Sequence, residues 1–153
     1  MPRVVSHTLD DPAAASQFIE VNFLISNAIG SLRALLPKML CTYPLLNDIT
    51  NLGCHYYTAA EQDEANENCE ELKAEMEELH SLLRQLQHLL RDLRSVTRPR
   101  TELALRCHFL HIDSFLSALL KNLRDLIHAP NYSLAEEKVG QLHVLLNKTK
   151  YGL

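Results

Sequence analysis

The chain has 153 residues, enough for one domain with a substantial core, and its 30 leucines against four glycines, six prolines and no tryptophan favour helices over sheets. A formal charge of −4 and a pI near 6 give no general attraction to phosphate backbones, which excludes nucleic acid as the default partner. The N-terminal sequence has no uninterrupted apolar run followed by a small-residue cleavage site, and no run of 18 consecutive apolar residues occurs. A protein inside the cell, in the cytoplasm or nucleus, is therefore expected.

After a flexible stretch at 1–11, a single helical domain is expected over 12–150. Asp11 reads as an N-cap and Pro12 as the first helical residue, where a missing N–H costs nothing. Phe18, Val21, Leu24 or Ile25, Ile29, Leu32 and Leu36 keep three- and four-residue spacing, so a helix is predicted over 12–36, stopped or kinked by Pro37. Pro37, Pro44 and Gly53 interrupt the next stretch, which predicts a short extra helix near 44–52, with one continuous helix from 44 onward as the rival reading.

Thr58 and Glu61 form a capping box at the head of the longest helix, 58–96. Leu72, Met76, Leu79, Leu83, Leu86, Leu90 and Leu93 make a heptad-like seam along it, which Leu82 and Leu89 widen to the breadth of a bundle core. The next helix, 101–128, repeats the pattern with Leu105, Phe109, Ile112, Phe115, Leu116, Leu119, Leu123 and Leu126. A last one, 133–150, starts at a Ser133–Glu136 capping box and points Ala135, Val139, Leu142 and Leu145 or Leu146 inward. Short connections between the last three helices imply antiparallel neighbours. The predicted fold is all-α: an antiparallel, up-down four-helix bundle with one long heptad-patterned helix and the short helix near 44–52.

Five LxxLL matches, beginning at Leu32, Leu79, Leu86, Leu116 and Leu142, fall on these inward stripes. Bundle patterning puts leucines at i, i+3 and i+4 repeatedly, and exposing three of them would remove roughly 1.5–3 kcal/mol of burial each. They are read as core rather than as receptor-docking boxes.

Charge on the longest helix is split. Residues 61–78 hold nine acidic side chains and one base, Lys73; residues 84–106 hold six arginines against Asp92 and Glu102. Part of this asymmetry complements the helix dipole. Because 60–71 contains no large apolar side chain, that end is expected to overhang the bundle as an acidic segment open to a basic or helical partner. The candidate partner-binding residues are Glu64, Glu67, Glu70, Glu71, Glu75 and Glu78, with Arg84, Arg91 and Arg98 at seven-residue spacing on a second stripe.

No chemistry emerges from the motifs. Cys107 and His111 lie one helical turn apart, but two ligands do not complete a zinc site, so neither metal nor cofactor is expected. His108 reads as a rim histidine of an apolar face. No phosphate-binding glycine loop, nucleophile elbow or HExxH occurs, and no enzymatic activity is expected. Cys41, Cys54, Cys69 and Cys107 include no CxxC pair and fit reduced thiols. The function expected is a non-enzymatic interaction module, an adaptor or subunit of an intracellular complex. The alternatives are a secreted cytokine-like four-helix ligand with bridged cysteines and a nuclear receptor coregulator acting through LxxLL.

Overall fold

The computed structural model describes residues 12–96 and 103–148, with side chains at all of these positions except 12–15, 54, 96, 103–107 and 148. The expected roles of Asp11, Arg98, Arg100, Leu105, Arg106 and Cys107 therefore lie outside the described residues and side chains. Among the described residues four α-helices follow one another: α1 (Pro12–Leu52), α2 (Ala59–Val96), α3 (Leu103–Ile127) and α4 (Tyr132–Lys148). A 3₁₀ turn over Gly53–His55 joins α1 to α2, and no strand occurs among the described residues.

The helices close an antiparallel ring in which α1 packs on α2, α2 on α3, α3 on α4, and α4 back on α1. Polar contacts mark the pairings. Lys38 of α1 lies 3.8 Å from Glu75 of α2, Arg91 of α2 binds Asp113 of α3, and Asn47 Nδ2 of α1 donates to Glu136 Oε2 of α4 at 2.7 Å. The core is continuous from Val21 and Ile25 through Met39, Tyr43, Met76, Leu83, Ile112, Leu116 and Leu142. Phe18 closes one end edge-on to Phe109, with the ring centroids 4.8 Å apart.

The expectation of a break at Pro37 and a separate helix near 44–52 is corrected. α1 runs unbroken for 41 residues with Pro37 and Pro44 inside it. Each proline removes one backbone hydrogen bond and crowds the carbonyl four residues earlier, at a cost of about 3 kcal/mol. Leu35, Leu36, Met39, Tyr43 and Leu46 stay in phase and buried across both prolines. At roughly 1.5–3 kcal/mol each, their burial outweighs that cost. The rival reading, one helix from 44 onward, fails at Gly53, whose φ of 58° turns the chain.

The overhang is also revised. A longer α1 gives the acidic start of α2 something to pack on, and Ala65 and Cys69 are buried there at 2% and 3% exposure. At 1.5 Å per residue, α1 and α2 run about 60 Å and 57 Å, whereas α3 and α4 run about 38 Å and 26 Å. The hairpin of α1 and α2 is thus the long frame, with α3 and α4 laid along part of it.

The capping box at α2 forms as read: Glu61 N–H donates to Thr58 Oγ1 at 3.1 Å and Thr58 N–H to Glu61 Oε1 at 2.8 Å. The one at α4 does not. α4 begins at Tyr132, so Asn131 is the N-cap, and its Oδ1 accepts the Leu134 N–H at 2.8 Å. Ser133 and Glu136 instead both bond Asn47 of α1. Asn131→Ala is expected to lower stability by about 1 kcal/mol, and Ser133→Ala by less than half of that, as measured by urea denaturation.

The leucine seam of α2 fills the core with Leu72, Met76, Leu83, Leu86, Leu90 and Leu93, with Leu79 partly buried. Leu82 and Leu89, expected to widen it, are 40% and 48% exposed. Between Leu86 and Leu90 sits a buried polar residue, Gln87. Its Nε2 donates to Ser117 Oγ at 2.8 Å and, at 3.3 Å, to the backbone carbonyl and Oδ1 of Asp113. Tyr43 is the largest fully buried side chain, and burial pushes its phenol well above the ordinary value.

Candidate partner-docking face on the α1–α2 pair

At 100° per residue, the buried face of α2 leaves two flanks. One, beside α1, carries Glu64, Glu67, Glu71, Glu75 and Glu78 in a row at three- and four-residue steps. The row continues without a change of phase into Leu82, Gln85, Leu89 and Asp92. All are exposed except Glu75, which is half-buried against Lys38. That ion pair, 3.8 Å apart and open to solvent on both sides, is worth at most about 1 kcal/mol and leaves the row available.

The other flank, beside α3, carries Arg84 and Arg91. Arg91 Nε and Nη2 donate to the two carboxylate oxygens of Asp113 at 2.7 Å and 3.2 Å, a bidentate contact that raises the guanidinium pKa further. The structure therefore separates the residues that the sequence grouped. Five of the six glutamates share one row, Glu70 projects from the solvent side of the helix away from it, Arg91 is engaged within the bundle, and Arg84 stands exposed near His80. Arg98 lies outside the described residues.

His80 marks the packed part of this second flank. Burial, then the positive charges of Arg84 and Arg124, hold its pKa below the ordinary 6.5, while a hydrogen bond to the Leu120 backbone opposes them. An unfolded chain binds the proton more tightly, so the stability His80 contributes is present above the ordinary value and lost as the pH falls through the lowered one. Thermal melts are expected to show a midpoint that drops between about pH 7 and pH 5, with a smaller drop in His80→Gln.

Along the acidic flank, α1 and α2 enclose two open cavities. One of about 520 Å³ lies between Pro37, Lys38, Cys41 and Thr42 of α1 and Asn68, Glu71, Leu72 and Glu75 of α2. The other, about 340 Å³, lies between Gln17, Glu20 and Val21 and Leu89, Asp92 and Leu93. Both lie in the seam between α1 and α2, with Glu71 and Glu75 of the row lining one and Leu89 and Asp92 the other.

Cys69, buried on the side of α2 away from the acidic row, is a free thiol whose pKa burial raises, so it stays protonated; Lys73 works against this and Glu70 with it. Cys41 is free and exposed. Among the described residues no group of three His, Cys, Asp or Glu side chains could hold a metal ion. His108 is exposed at the rim, 6.1 Å and edge-on from Phe18.

Composition would also let α1 be read differently. Ser16–Leu52 is long and apolar enough to cross a membrane, although its buried residues pack on the other helices.

The sequence missed Gln87 and Asn47 as cross-helix ties. Gln87 borders the leucine arc and Asn47 falls on the α4-facing side of α1, but only the neighbouring helices reveal their partners. Compared with protein-family models, curated proteins and solved structures, the chain gives no match.

Proposed function

We propose that this protein is a non-enzymatic interaction module, an adaptor or subunit of an intracellular assembly, whose α1–α2 groove receives a basic, amphipathic helix of another protein. The observation that carries the reading is the unbroken row on α2, in which Glu64, Glu67, Glu71, Glu75 and Glu78 run in phase into exposed Leu82 and Leu89. A helix laid along that row would set lysines or arginines against the glutamates and apolar side chains against the leucines, both at helical spacing. Docking through an LxxLL box would instead require Leu83 or Leu90 to leave the core.

The test uses a labelled helical peptide with Lys at helix-spaced positions over one half and Leu over the other, followed by fluorescence anisotropy. The intact protein is expected to bind it at micromolar Kd, more weakly as salt rises. Charge reversal of Glu64, Glu67, Glu71 and Glu78 to Lys should weaken binding more than about tenfold while leaving the circular dichroism helix signal intact, as the loss of several complementary charges implies. Equal affinity of the wild-type and charge-reversed proteins at low salt would sink the proposal.

A further inference from the structure

α1 has a second face that the bundle leaves open. Ile19, Phe23, Gly30, Pro37, Leu45 and Leu52 share it, spaced by four, seven, seven, eight and seven residues. All are exposed, Ile19 at 67% and Phe23 at 62%. Between Ile19 and Pro37 this face carries no charged side chain. Glu20 and Lys38, both exposed, border it on the α2 flank, where they also line the two cavities and Lys38 lies 3.8 Å from Glu75 of its own chain, and they lie equally far from residue 29.

We propose that this face binds a second copy of the same chain, α1 against α1 in antiparallel orientation, crossing near Gly30. In an antiparallel pair, residues on the same flank face each other, so a dyad near residues 29–30 sets Glu20 of each protomer against Lys38 of its partner, twice. The flank has the opposite charges at the two places where self-pairing needs them.

Gly30 supplies an independent argument. A Cβ at this position would meet nothing within 4 Å, as at Gly140 of α4, so packing within the chain does not require glycine there. Glycine inside a helix lowers its stability relative to alanine. A close backbone approach at the crossing point of two helices gives it a role.

The contact is modest. Symmetric about residues 29–30, the overlap runs from Ser16 to Tyr43, about 40 Å long and about 11 Å wide, so roughly 440 Å² per chain is covered and Leu45 and Leu52 lie beyond it. That lies at the weak end for specific pairs, where a micromolar dimer is expected. The dyad also puts both acidic rows on the same side of the pair.

Sedimentation equilibrium of the full chain from about 1 to 300 µM brackets such a Kd. The mass is expected to rise from one chain to two. Gly30→Trp should weaken the dimer at least about tenfold, because the indole holds the backbones apart, with the helix signal unchanged. Glu20→Lys or Lys38→Glu alone should weaken it, and the two together should restore it, a rescue that a misfolded variant cannot produce.

A single-chain mass throughout that range would overturn the proposal, as would a dimer insensitive to both Gly30→Trp and the charge exchange. Flotation of the monomer with phosphatidylcholine vesicles would assign the face to lipid and overturn it equally.

Discussion

Replacing Leu83 and Leu90 together by alanine is expected to unfold the protein under conditions where the wild type is fully folded. Both side chains are essentially inaccessible, at 0% and 1% exposure, and both belong to LxxLL matches. Buried Leu→Ala changes cost about 2–5 kcal/mol each, and the pair therefore removes roughly 4–10 kcal/mol. Domains of this size have about 5–15 kcal/mol in total. The matching control is Leu82→Ala with Leu89→Ala. These leucines occupy the second leucine position of the same two motifs but are exposed, so their loss should shift the denaturation midpoint little, within about 0.5 kcal/mol per site. Guanidinium denaturation followed by circular dichroism reads both variants. Similar losses for the two pairs would mean that α2 is rotated from the orientation described.

Pro37→Ala is expected to stabilise the protein. Pro37 lies inside α1 with its ring exposed, so alanine leaves no hole in the core and restores a donor to the Arg33 carbonyl. Removing an internal helix proline is worth up to about 3 kcal/mol. Greater freedom of the unfolded chain returns roughly 0.4–1 kcal/mol of this, leaving a net gain of about 2 kcal/mol. The same denaturation experiment measures it. A loss instead would mean that α1 needs the bend Pro37 imposes in order to follow α2 and α4 at once.

Leucine spacing on α2, α3 and α4 was sufficient to place Leu83, Leu116 and Leu142 in the core, because a 3.6-residue period has one consistent inward side. Thr58–Glu61 was legible for a similar reason: the capping box is a local device, and both partners lie within one turn. Pro37 misled because proline's cost is local whereas the burial that outweighs it is spread over Leu35 to Leu46. Ser133 misled because Asn47, 86 residues away in sequence, takes up its hydroxyl while Asn131 supplies the cap.

The candidate site was legible in composition but not in arrangement. The abundance of glutamate over 61–78 is plain, yet which glutamates share a row depends on which side α1 occupies. Once α1 is seen to reach Leu52, Glu64 through Glu78 become the rim of a groove rather than a free arm. The arginines required the opposite revision, since Asp113 lies on another helix and nothing near Arg91 in sequence announces it.

Gln87 has a consequence for the uniqueness of this bundle. Helices lined with leucine at every third and fourth position can slide past one another by a heptad and still bury leucine against leucine. With Gln87 Nε2 bonded to Ser117 Oγ, such a slip of α2 along α3 would carry the amide to the level of Leu110 or Arg124 and strand it without that hydroxyl. One amide thus sets the alignment that the repetitive leucines leave degenerate.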